Sequence, residues 1–573
     1  MAPKRQKAPQ QPPSTGSTTT PKMADSTVPK NYRSLARATS LLALAALTSP
    51  VSQLSLAPVF GGIPSSINHK EALVATFSIS FASRYFWKPR SKGALQYLSL
   101  WAACIPILQF IVFQLSDSLG LVAGPTVAGF LSCHTITIAI AYTTALLLED
   151  LDLQAQWGAL AAHLSTGAVA LGLFVLLERI FAAMLPNLTG LSQHLNPVNI
   201  QVLTSLAIGG LLPQRQNLFL ATVIGANLVA LLSPQGSGPY STALVNAGLS
   251  TQRWTMIARQ WSNTGYISVL ENEDAAYRVL RCDHSLLGGE WQLTPERKKE
   301  GWKVTEPIYA VFEMLEAVRL MKVPNAISDD KANALVIGLG IGTAPKAFIS
   351  HGINTTIVEL DPVVHKYATE YFDLPSTHTA VLSDAIAWVR TQSTTPPSDQ
   401  EKYDYILHDV FTGGAEPLPL FTTSFLNNLR SLLRPNGVAA INYAGDLSIP
   451  LTARILNTID LAFDRQCKVY RDSPATPDGD TFSNLVVFCR NSPGTIGFRQ
   501  PKEKDFLGSQ SRRGYLYPRD DFSIEFPLRG TEREGEVLDD GGVAQWRVQQ
   551  EQSSSRHWRI MRTVLPAKVW ELY

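Results

Sequence analysis

Residues Ala334-Leu335-Val336-Ile337-Gly338-Leu339-Gly340-Ile341-Gly342 pass from a compact apolar run into a turn of alternating glycines, and a helical pattern follows through Ile349. About twenty residues past the first glycine, Thr356-Ile357-Val358-Glu359 forms a second strand that ends on an acid. Glycine admits left-handed backbone and leaves room for a ligand to approach the main chain. An acid at the end of the second strand can accept hydrogen bonds from ribose hydroxyls. The spacing is G-x-G-x-G and lacks the G-x-G-x-x-G register of dinucleotide binders.

The same logic repeats downstream. Ala380-Val381-Leu382-Ser383-Asp384-Ala385 and Tyr403-Asp404-Tyr405-Ile406-Leu407-His408-Asp409 read as a third and a fourth strand, each ending on an acid. A helix over 421–433, the turn Arg434-Pro435-Asn436-Gly437, a strand Val438–Asn442 and a strand pair Gln466–Arg471 and Phe482–Cys489 complete the pattern. Repeated β-α units bring successive strand ends to one crevice, so Glu359, Asp384 and Asp409 are expected around one site. Upstream, 265–270 and 277–282 read as short strands joined by an acidic turn, and 306–322 as a helix beginning at Glu306-Pro307.

This α/β segment is under half of the 573 residues, and the rest has a different texture. The whole chain is 45% hydrophobic and only 17% charged, which excludes wholesale disorder. Between Tyr32 and Pro234 the basic residues are Arg33, Arg37, Lys70, Arg84, Lys88, Arg90, Lys92, Arg179 and Arg215, and the acids are Glu71, Asp117, Glu149, Asp150, Asp152 and Glu178. Most of these charges lie between apolar runs at 39–59, 71–87, 93–115, 119–148, 156–184, 199–213 and 217–233. Runs of about 20 apolar residues cross a bilayer as helices, so 39–234 reads as a transmembrane domain of about six or seven spans.

The remaining organisation is a basic tail over 1–38, a linker over 235–262, a small β region over 263–305, the α/β core over 306–490 and an extension over 491–573. The basic tail and the 84–92 loop place one side of the bundle in the cytosol. The catalytic domain is expected on that same side, although seven spans would put it on the other. The net charge of +2 argues against a nucleic-acid partner, and five cysteines without paired spacing indicate neither a metal site nor a disulfide framework.

From Asn263 to Arg490 the chain resembles the spermidine synthase family of polyamine aminopropyltransferases, a branch of the S-adenosylmethionine methyltransferase-like Rossmann fold. The resemblance rests on TGYISVL and YRVLRCDHSLLGGEW, the glycine loop, YDYILHDVF and Gly414-Ala415-Glu416-Pro417-Leu418. It implies that Gly338, Gly340, Gly342, Glu359, Asp384 and Ala385 hold the nucleoside. It implies Asp409 as the catalytic base, and a homodimer. Tyr309 and Thr412 fall where that family contacts its substrate. Family synthases carry an acid in the glycine loop and a second after the catalytic one; here Ile341 and Thr412 stand in those places.

The expected chemistry is attack by an amine on a carbon beside a sulfonium, with Asp409 as base and no metal. The first expectation is aminopropyl transfer from decarboxylated S-adenosylmethionine to a small-molecule amine. The alternative is methyl transfer from S-adenosylmethionine to a protein or small molecule, which the missing polyamine acids favour. A non-catalytic nucleoside sensor is a third reading. His408 is expected to pack in the core and Asp361 to cap a helix.

Overall fold

The structure is a computed structural model that describes residues 30–86, 94–149, 151, 158–212, 215–394, 402–410, 414, 417–474, 482–525 and 535–573. Five strands, β1 (Trp254–Ser262), β2 (Gly265–Asn272), β3 (Tyr277–Cys282), β4 (Ser285–Trp291) and β5 (Glu306–Pro307), form an antiparallel sheet in chain order. The core follows with β6 (Asn333–Ile337), β7 (Asn354–Glu359), β8 (Thr379–Leu382), β9 (Tyr403–His408), β10 (Leu433–Asp446), β11 (Cys467–Arg471), β12 (Phe482–Arg490) and β13 (Ser523–Ile524). These eight are ordered β13-β11-β12-β10-β9-β6-β7-β8. Strands β8, β7, β6, β9 and β10 are parallel, and β12 enters antiparallel between β10 and β11. The order reverses between β6 and β9, and a ligand crevice opens at the carboxyl ends of strands flanking such a point. This is the Rossmann-like fold expected of nucleoside-dependent transferases.

Strands β6, β9 and β10 are buried on both faces, as parallel strands covered by helices must be. One face packs Val336, Leu407 and Ala440 with Phe348 and Val364, and the other packs Ile337, Ile406 and Ile441 with Phe425 and Ile455.

Three sequence expectations are corrected. The segment 306–322 is not one helix: Glu306 and Pro307 pair with Trp291 and Glu290 to close the small sheet, and only Val311–Leu315 is α-helical before a 3-10 turn. The 235–262 linker holds the helix Pro239–Leu249 and the whole of β1, whose Trp254 and Met256 are buried. Cys467 and Cys489 form a disulfide. Their 22-residue separation matches no motif, but they are register partners on β11 and β12 with Cα atoms 4.2 Å apart.

Among the described residues, the longer helices ahead of the 235–262 segment are α1 (Lys30–Phe60), α2 (His69–Ser83), α3 (Leu98–Phe113), α4 (Ser116–Glu149), α5 (Ala159–Leu191), α6 (Pro197–Leu211) and α7 (Gln216–Leu232). Four of them are long and apolar enough to cross a membrane, and α6 and α7 are shorter apolar helices. One end of the bundle meets the sheets. There Pro58 and Val59 accept hydrogen bonds from Arg281 and Trp558, Ser116 donates to Glu571, and Gly190 closes on Asn263. At the other end Arg84 reaches Ala145, His163 and Glu149.

The segment after the core ties the two halves together. Helix α8 (Arg547–Val564) runs beside the crevice, and the buried Trp570 and Tyr573 lie between bundle and sheet. Arg281 on β3 is fully buried, and its guanidinium donates to the carbonyls of Pro58, Asp283, Val569 and Trp570.

Candidate active site

Gly338, Gly340 and Gly342 have φ of 85°, 56° and 81°, backbone that side-chain-bearing residues rarely adopt. A Cβ on Gly338 would lie 2.0 Å from the Asp409 carbonyl oxygen, and one on Gly340 2.5 Å from that of Leu287. The loop is therefore pressed between β9 and the small sheet. Ile341 is buried and packs at Gly288, which commits its side chain to the contact between sheet and core.

Glu359 ends β7 with its carboxylate buried in the crevice wall, where Oε1 accepts from the Asp361 N–H at 2.8 Å. Burial pushes its carboxyl up to about 7, opposed by N–H groups of Asp361, Leu339 and Leu360. Asp361 caps the next helix through the N–H groups of Val363 and Val364, and it accepts from Ser262 and Thr264 of the small sheet. Asp384 is exposed at the crevice rim, and its Oδ1 accepts from Ile386 and Ala387 at the start of a helix. Ala385 lines the crevice beside it. Tyr309 lines the opposite wall; its hydroxyl is buried without a partner, and burial pushes it up to about 12. Thr412 lies outside the described residues.

Asp409 stands at the end of β9, where its N–H donates to Ile337 of β6 at 2.8 Å. Burial pushes its carboxyl up to about 6, while the Asn442 side-chain N–H, 2.7 Å from Oδ1, pulls it back. The amide oxygen of Asn442 is buried and unpartnered. A buried acceptor left open costs about 1–3 kcal/mol, so this atom points to a donor that arrives with a ligand. His408, one residue earlier, is fully buried between Phe421 and Phe425, and its Nε2 faces the Leu420 carbonyl. It packs in the core.

Most of these groups line one cavity of about 500 Å³, the size of a small-molecule site; Ile341, Gly342, Asp361 and His408 are not among its lining residues. Gly338, Gly340, Glu359, Asp384, Ala385, Tyr309 and Asp409 all face it. Sequence reasoning missed Asn442, Asp472, Asn484 and His557. Asp472 follows a strand just as the recognised acids do, so the same rule extended to the last hairpin finds it, whereas Asn442 lies inside β10 beside Asp409. His557 comes from α8, far along the chain; it faces Ser285 across 3.4 Å, and no local pattern marks it.

The glycine turn and the buried Glu359 acceptor fit a ribonucleoside, and the Asp409–Asn442 pair fits a nitrogen nucleophile that must give up a proton. Fold and site together define a nucleoside-dependent group transferase. No family model matches the chain. The N-terminal histidine N-methyltransferase of Emericella nidulans is 41% identical over 555 residues, spanning 93% of this chain and 96% of that protein. The chain belongs to the family of that enzyme. Partial matches include a probable polyamine aminopropyl transferase of Bifidobacterium longum, 27% identical over 28% of this chain and 35% of its own length. The eEF1A lysine and N-terminal methyltransferase of Bos taurus is 30% identical over 22% of this chain and 20% of its own. The resemblance to aminopropyltransferases is thus confined to part of the chain, and the relative that spans it is a methyltransferase.

Proposed function

We propose that this protein transfers a methyl group from S-adenosylmethionine to a nitrogen of an N-terminal histidine on a protein substrate. The observation that carries the reading is the unpartnered Asn442 oxygen beside Asp409, inside the cavity that the glycine turn and Glu359 frame. The full-length methyltransferase relative supports methyl over aminopropyl transfer, and so does Ile341, buried where the synthases place the acid that holds their donor's amine. When bound, S-adenosylmethionine supplies an electrophilic methyl on a sulfonium. Glu359 holds the ribose and the glycine turn admits its close approach. Asn442 accepts from the substrate's N–H beside Asp409 and so orients the nitrogen that attacks. Asp409 takes the proton released as the N–C bond forms and the C–S pair returns to sulfur. The full chain in detergent, given a histidine-initiated peptide and either S-adenosylmethionine or its decarboxylated form, is expected to add one methyl to the first residue by mass spectrometry. Aminopropyl addition from the decarboxylated donor would overturn the reading.

We propose further that the bundle spans a membrane with the catalytic half on the non-cytosolic side, the reverse of the cytosolic placement expected above. Outward side chains such as Val122, 83% exposed, and Val169, 70% exposed, give the bundle an apolar belt. Counted as passes, α1 to α7, four of them long enough to cross and three shorter, put the sheets on the side opposite the start of α1. Among the described residues, the basic positions Arg33, Arg37, Arg84 and Arg215 belong to the end away from the sheets. The Cys467–Cys489 disulfide suits an oxidising compartment, and exposed Asn187 of the sequon Asn187-Leu188-Thr189 sits at the sheet-facing end. In sealed microsomes the catalytic half is expected to resist external protease until detergent is added. Digestion without detergent would refute this orientation.

A further inference from the structure

Four carboxylates line the cavity, Glu359, Asp384, Asp409 and Asp472, and no lysine or arginine joins them among the described residues. Such a lining selects positively charged occupants. Glu359 and Asp384 stand on the β7–β8 side, with the glycine turn. Asp409 stands at the centre. Asp472 has no role in the chemistry described so far.

Asp472 follows β11, on the far side of the sheet from the nucleoside wall. Its Oδ2 accepts from the Asn484 side-chain amide at 2.9 Å and its Oδ1 from the Ser473 hydroxyl at 2.9 Å. Among the described residues its side-chain partners are thus neutral donors, which orient the carboxylate without cancelling its charge. Asn484 is the register partner of Ala444, two residues beyond Asn442 on the same face of β10. Asp409, Asn442, Asn484 and Asp472 therefore step across β9, β10, β12 and β11 in one direction. Three strand spacings separate the two acids, roughly 14 Å between backbones, which the two side chains and one bound residue bridge.

An N-terminal histidine carries two basic nitrogen groups. Near neutral pH the α-amine, with a reference pKa of about 7.7–8.0, is largely cationic, whereas the ring, at about 6.5, is largely neutral and offers a lone pair. A carboxylate suits the first and a hydrogen-bonding base suits the second.

We propose that Asp472, oriented by Asn484, is a specificity-determining residue that anchors the α-ammonium of the substrate's first residue while the imidazole is presented to Asp409 and Asn442. This rests on the methyl-transfer reading above. One ring nitrogen forms the N–CH3 bond as the C–S electron pair leaves to sulfur, and the other ring nitrogen gives its proton to Asp409. The ring ends neutral and methylated. Selection of a chain's first residue then follows from geometry: an internal histidine has no ammonium to place at Asp472.

The test is binding of a fluorescent histidine-initiated peptide to the full chain in detergent, without nucleoside, alongside steady-state kinetics. Asp472→Asn is expected to weaken peptide binding by roughly 10- to 100-fold, the worth of one charge-assisted bond. It should raise the peptide KM in step and leave kcat and the S-adenosylmethionine KM near wild type. Acetylating the peptide's amine should weaken wild-type binding equally and have no further effect on the variant. Asn484→Ala, which leaves the charge in place, should shift binding in the same direction by less. Wild-type affinity in Asp472→Asn, or independent losses from acetylation and substitution, would overturn the ammonium assignment alone. A wild-type chain that fails to bind the peptide would overturn the methyl-transfer reading with it.

Discussion

Asp409→Asn is expected to lower kcat/KM by about 10²- to 10⁴-fold, the usual worth of a positioned base, with nucleoside affinity little changed. The substitution preserves shape and can still accept from the Asn442 amide, so the loss isolates proton acceptance. The pH profile separates this role from a merely structural one. Burial pushes the Asp409 carboxyl up to about 6, and only the ionised form can take a proton. Wild-type log kcat/KM should therefore rise with pH up to about 6 and level off above it. The residual activity of the variant should lack that limb. A variant that keeps the wild-type rate, or keeps the limb, would remove Asp409 from the chemistry.

Glu359→Gln should raise the Kd for S-adenosylhomocysteine by roughly 10- to 100-fold, because hydrogen bonds to an ionised acceptor contribute about 1.5–3 kcal/mol. Its pH behaviour has two opposite signs. Burial pushes this carboxyl up to about 7, so nucleoside affinity should strengthen as pH rises through 7 and the carboxylate forms. Folding runs the other way. Between the ordinary glutamate range and about 7 the folded protein binds more protons than the unfolded chain, so the group's contribution to stability is lost as pH rises through that window. At pH 8 the variant should bind nucleoside poorly and yet melt no lower than wild type. A variant that binds normally by calorimetry would show that the ribose is held elsewhere.

The core strands and three of the crevice acids were legible because their signals are local. A strand, a glycine turn and an acid about twenty residues on are read from one window of sequence. What escaped was set by contacts between distant segments. Glu306 and Pro307 read as a helix start, but pairing with β4 takes them into the small sheet. Cys467 and Cys489 meet only once β11 and β12 are in register. His557 reaches the cavity on a helix that no pattern ties to it. Asn442 and Asp472 were missed for a simpler reason: an amide inside β10, and the last hairpin, are not read by the rule that finds Glu359 and Asp409. The apolar runs coincide with the helices before the sheets, but which end of them meets the sheets is set by contacts such as those at Pro58, Ser116 and Gly190.

The buried guanidinium of Arg281 has a thermodynamic consequence. It binds carbonyls of α1, of its own hairpin and of the segment at Val569 and Trp570, so parting any one from the others strands a charge in a dry junction. Bundle and catalytic half then have no low-cost way to unfold in turn. They should melt as one cooperative unit, and a catalytic half cut away near residue 235 should be markedly less stable than the same residues in the full chain.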